Sequence, residues 1–175
     1  MNRKRISSDY DRRLGADGKE TYIYTGPRFN VDLPAKRLLR YRVICWLMPV
    51  LGFLIFIGSG ISDPQGLRQM YIVLPFIALF MPLALLIGDA YKVTTANKNM
   101  ERKEYARSIV QMRRCSVAVV ALSGIVFIAQ AAFMIFGLDV VSVKEYYLLI
   151  GTFILACLFF VFYRWQKRIP VTSDR

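Results

Sequence analysis

The chain has 175 residues, 55% of them hydrophobic and 21% charged, with 24 Lys and Arg against 12 Asp and Glu, a net charge of +12, and no His. Zinc hydrolysis and histidine-based proton transfer therefore lack their usual ligand and base. No Cys-x-x-Cys pair, P-loop, Gly-x-Ser-x-Gly elbow or Asp-rich metal motif occurs, so the expectation is a non-enzymatic chain with no catalytic residue, metal or cofactor.

Residues 1–20 are polar, charged and punctuated by glycine. They hold too little apolar surface to offset chain entropy and are expected to form a disordered tail. Residues 21–42 read as a small β-hairpin followed by an interfacial helix. Thr21-Tyr22-Ile23-Tyr24 and Arg28-Phe29-Asn30-Val31 flank a Gly26-Pro27 break, which predicts two paired strands that must dock to be stable. Asp32 is expected to cap the helix and Pro34 to sit in its first turn, where its missing donor costs nothing. Lys36, Arg37, Arg40 and Arg42 follow and are candidates for contact with anionic headgroups at the inner leaflet.

Four stretches then contain no Asp, Glu, Lys or Arg: 43–62, 69–88, 115–138 and 146–163. Their lengths match the roughly 20 residues a helix needs to cross about 30 Å of hydrocarbon. The fold class expected is an all-α integral membrane protein, an antiparallel bundle of four transmembrane helices over residues 43–163. The connections at 63–68 and 139–145 are short, so the first span must neighbour the second, and the third the fourth.

Within the spans, Pro49, Pro75 and Pro82 are candidate bends or hinges, because each removes a backbone donor. Ala118, Ala121 and Gly124, at spacings of three, are candidate packing positions where backbones approach closely. Gln130 is expected to seek a hydrogen bond inside the bundle. Tyr146, Tyr147, Tyr163 and Trp165 fit aromatic belts at the boundaries of the fourth span. Asp89 is expected at the water boundary, paired with Lys92 or a nearby arginine. Between the second and third spans, 89–114 contains neither Gly nor Pro and reads as a helical hairpin. Residues 164–175 form a C-terminal tail. Cys45, Cys115 and Cys157 read as packing residues on the reducing side rather than disulfide partners.

Charge placement orients the chain. Residues 1–42, 89–114 and 164–175 together hold 22 of the 24 Lys and Arg, and the two short connections hold 2. Lys and Arg are retained on the cytoplasmic side during insertion, which puts both termini and the middle segment in the cytoplasm of a multi-pass cell-membrane protein. The same pattern accounts for the basic composition without nucleic acid as a partner. Expected partners are lipids of the anionic inner leaflet, and a protein or second copy contacted through 21–42 and 89–114. The function expected is an accessory, regulatory or structural membrane subunit. The alternative is a small oligomeric channel or transporter, with a membrane-interface enzyme third. Transporters and proton relays usually place ionisable groups inside their spans, and these four stretches contain none.

Overall fold

The computed structural model describes residues 10–14, 20–24, 28–31, 34–62, 64–95, 99–101, 105–136, 142–169 and 171–174. Four of its helices are long and apolar enough to cross a membrane: Lys36–Ile61, Met70–Thr95, Ser108–Phe136 and Val143–Lys167. Resolved into elements, these are α1 (Ala35–Ile61), α2 (Met70–Ala78) continued by α3 (Phe80–Thr95), α4 (Gln111–Phe136) and α5 (Val143–Lys167). A π-helical turn, Ala106–Val110, leads into α4. The first three rods run past one end of their charge-free stretches and stop just short of the other, at Ile61, Met70 and Phe136, whereas the last runs past both. The first starts at Ala35 rather than Val43, and the last ends at Lys167 rather than Tyr163. A charge-free run measures what can touch hydrocarbon, whereas a helix goes on until other groups satisfy its terminal amides and carbonyls.

α1 packs on α3 and α5, and α4 packs on α2, α3 and α5, so the four rods form a ring in chain order. Sequential neighbours are adjacent, as the short connections require. The inward positions recur every three and four residues. α4 buries Met112, Ser116, Val119, Ser123, Val126 and Gln130; α5 buries Glu145, Leu148, Thr152, Leu155, Phe159, Phe162 and Gln166. A strict seven-residue repeat keeps one seam facing the partner helix, which is the arrangement of knobs-into-holes bundles. Cys45, Gly52 and Ser59 extend the same repeat along α1. Two close approaches join α1 to α5. A Cβ on Gly52 would meet the Phe159 ring, and a Cβ on Gly151 would overlap Ser59 Oγ.

The second rod is interrupted at Leu79. Pro82 has no N–H to offer the carbonyl of Ala78, so the ladder opens there. The Leu79 amide is shared between the carbonyls of Pro75 (3.2 Å) and Phe76 (3.1 Å). Pro49, by contrast, lies buried within an uninterrupted α1.

Outside the helices lie short strands. β1 (Tyr10–Leu14) pairs antiparallel with β2 (Glu20–Tyr24), and β3 (Arg28–Val31) runs between β4 (Asn99–Glu101) and β5 (Val171–Asp174), antiparallel to both. In register, Phe29 stands opposite Met100 and Ser173. Three expectations are corrected by this arrangement. Residues 10–14 belong to a strand, not to a disordered tail. The two strands predicted around Gly26-Pro27 both form, but they do not pair with each other. β2 turns back on β1 across five residues that include Asp17-Gly18, a length and composition suited to a hairpin, and β3 takes its partners from distant parts of the chain. Finally, Asn99–Glu101, read as helix from local propensity, is strand because β3 supplies it with a ladder. Helix returns at Tyr105.

Pro34, expected inside the first turn, is instead the N-cap of α1, two residues later than a cap at Asp32, and its carbonyl accepts from the amides of Arg37 (2.8 Å) and Leu38 (3.0 Å). The capping role expected of Asp32 lies outside the described residues. β3, β4 and β5 come from the amino-terminal, middle and carboxy-terminal segments, which therefore meet at one end of the bundle. This is the sheet end; the other, with the two short connections, is the loop end.

Candidate functional site: buried polar clusters at both ends of the bundle

At the loop end, Ser142 caps α5, its hydroxyl accepting from the amide of Lys144 at 3.4 Å. Ser142 and Glu145 have the spacing of a capping box, in which the glutamate would reach back to the cap. Glu145 instead points across the bundle and is only 2% exposed. Its carboxylate accepts from the amide of Gln65 (2.5 Å), from the amide of Gly66 (3.2 and 3.4 Å) and from Gln130 Nε2 (2.6 Å). Gln65 and Gly66 open the 3-10 turn Gln65–Arg68 that joins α1 to α2, and their amides have no donor role within that turn. One side chain of the fourth rod therefore binds the first connection and the third rod together. Gly66 is needed for this approach, since a Cβ there would collide with the Gln130 side chain and sit 3.0 Å from Glu145 Oε2.

At the sheet end, Asp89 pairs with Lys92 (2.9 Å), as expected, but it is fully buried rather than at open water, and its Oδ2 has no partner. The cause is its position on the inward repeat of α3, beside Leu86, Ala90 and Val93. Trp46 Nε1 donates to Thr94 Oγ1 (2.9 Å), tying α1 to α3. Tyr41 lies against Trp165, ring centroids 5.5 Å apart, and its hydroxyl meets the Cys45 thiol. Arg113 donates through Nη2 to the carbonyl of Gln166 at 2.7 Å. The Gln166 side chain is completely buried, and neither its Oε1 nor its Nε2 has a partner.

Between the two ends the interior is apolar, filled by Ile72, Leu79, Leu83, Val119, Val126, Leu155 and Phe159. The hydroxyls there are satisfied locally. Ser116, Ser123 and Thr152 donate to the carbonyls of Met112, Val119 and Leu148 on their own helices. Among the described residues no group of three or more Cys, Asp or Glu is placed to hold a metal ion.

The structure distributes the sequence-derived candidates unevenly. Gln130 is buried and makes the expected bond within the bundle. Lys36, Arg37 and Arg40 are exposed on the first turns of α1, and Arg42 is half-buried. Pro82 coincides with the break in the second rod, Pro75 is half-buried just before it, and Pro49 causes no break. The small residues do not form the packing seam: Ala121 is exposed, Ala118 half-buried, and a Cβ on Gly124 would meet nothing. The inward face of α4 is the one carrying Ser116, Ser123 and Gln130. Polar residues seven apart mark the inward face of an apolar helix, because hydrocarbon gives them no partner. Glu145 and Gln166 were missed for a related reason. Both sit at helix ends, where a polar residue is ordinarily assigned to water.

No protein-family model, curated protein or solved structure matches this chain.

Proposed function

We propose that this chain is a four-pass membrane protein with both termini and the 89–114 segment in the cytoplasm, acting as a non-enzymatic accessory, regulatory or structural subunit. The observation that carries the reading is the sheet β4-β3-β5. The three segments that hold 22 of 24 Lys and Arg each contribute one strand to it, so the sheet gathers them at one end of the bundle for a partner to engage together; the strands themselves carry only Arg28, in register with Glu101 and Asp174. The outward faces support membrane residence. Leu54, Leu74, Ile77, Ile128, Phe153 and Val161 are all exposed, and a helix apolar on every side is suited to lipid. The packed apolar interior favours a subunit over a channel through one bundle, since it offers ions no polar path; a conduit would have to run between copies.

Affinity purification in mild detergent is expected to recover a stoichiometric partner that is lost when residues 21–31 are deleted. A solitary, monodisperse protein whose behaviour is unchanged by that deletion overturns the proposal.

A further inference from the structure

We propose that Arg113 and Gln166, at the seam between α4 and α5, form a seat for a phosphate group, the chemistry shared by an anionic phospholipid headgroup and free inorganic phosphate. Arg113 is half-buried, and its hydrogen bond goes to a main-chain carbonyl. Its Nε is buried with no partner, and among the described residues no carboxylate pairs with it. A half-buried guanidinium whose Nε–H is unanswered retains donor capacity suited to an oxyanion. The amide of Gln166, on the neighbouring helix, is buried with its donors unspent.

The described parts of the two helices at this seam carry no counter-charge of their own. Arg114, Arg164, Lys167 and Arg168 are exposed around the same seam, and there is no Asp or Glu in 105–136 or 146–169. Acidic residues at this end lie on other elements: Glu101 and Asp174, in register with Arg28, and Asp89, whose Oδ1 meets Lys92 and whose Oδ2 has no partner. Basic pockets between transmembrane helices on the cytoplasmic side are where lipid phosphates are held. This differs from Lys36, Arg37 and Arg40, which are exposed cations on one helix and offer attraction without enclosure.

The test uses the full chain in neutral detergent, with phosphatidylglycerol, phosphatidylcholine and inorganic phosphate as separate probes, read by native mass spectrometry and by the thermal unfolding midpoint. Phosphatidylglycerol is expected to be retained and to raise the midpoint, and phosphatidylcholine to do neither. Arg40→Gln, which removes one exposed cation, is expected to weaken retention by at most about fivefold, and Arg113→Gln by clearly more. Gln166→Met removes an orphaned amide, so it is expected to fold stably yet respond less to phosphatidylglycerol; it decides the matter if Arg113→Gln does not fold. Competition by inorganic phosphate alone supports the same seat with a soluble occupant. Equal retention in wild type, Arg113→Gln and Gln166→Met overturns the proposal. So does equal loss in Arg40→Gln and Arg113→Gln, or no response to either phosphate source. The lipid arm rests on the four-pass reading, which carbonate extraction tests separately: a chain retained in the membrane pellet can still fail to hold phosphatidylglycerol.

Discussion

Replacing Glu145 by Ala removes the one acceptor shared by the amides of Gln65 and Gly66 and by Gln130 Nε2. Gln65 is exposed, so water can take over its amide at small cost. Gly66 and Gln130 are buried, and each donor stranded there costs about 1–3 kcal/mol. The expected loss for Glu145→Ala is therefore roughly 2–6 kcal/mol, the sum over those two donors. Glu145→Gln keeps one carbonyl oxygen for the turn but sets an amide against Gln130 Nε2, so a smaller loss of about 1–3 kcal/mol is expected. Reversible unfolding in mixed micelles, followed by circular dichroism, gives these differences. A double-mutant cycle with Gln130→Leu sharpens the test, because residues in one hydrogen-bond network couple by about 0.5–3 kcal/mol. A Glu145→Ala variant within about 0.5 kcal/mol of wild type, the range of surface substitutions, would refute the reasoning. So would strict additivity with Gln130→Leu.

Three further outcomes are expected. Gly151→Ala forces a methyl onto Ser59 and should destabilise by about 1–3 kcal/mol, with partial recovery on adding Ser59→Ala. Gly124→Ala, in open space, should be neutral or stabilising by up to about 1 kcal/mol; the same unfolding assay reads both, and equal effects would contradict the assigned faces. Pro82→Ala restores a donor for the Ala78 carbonyl, so hydrogen exchange should show a protected amide at residue 82 and slower exchange at Leu79. Unchanged exchange at Leu79 would detach the break from the proline. In intact cells, an impermeant maleimide should label Val140→Cys but not Ser173→Cys in a chain otherwise free of cysteine. The reverse pattern would invert the proposed orientation.

The four rods and their neighbours were legible because hydrophobic length and loop length are local quantities. What crosses the bundle was not. Glu145 was counted with an aqueous connection, since adjacency in sequence does not reveal that Gln65 and Gly66, 80 and 79 residues away, present bare amides to it. β4 was read as helix because propensity speaks only for its own segment, and β3 outvotes it. The seven-residue recurrence of Ser116, Ser123 and Gln130, and of Glu145, Thr152 and Gln166, was available throughout. Spacings of three among small residues drew attention to the wrong side of α4.

The reach of Glu145 also bears on how the chain is born. A ribosome delivers α1 and α2 long before α5, so the turn between them forms with amides that nothing yet answers. Only when the last rod arrives does a carboxylate come to quiet them, and β5, later still, completes the sheet around β3. A nascent polypeptide cut short before that moment would keep an unfinished turn, with the amides of Gln65 and Gly66 still unanswered.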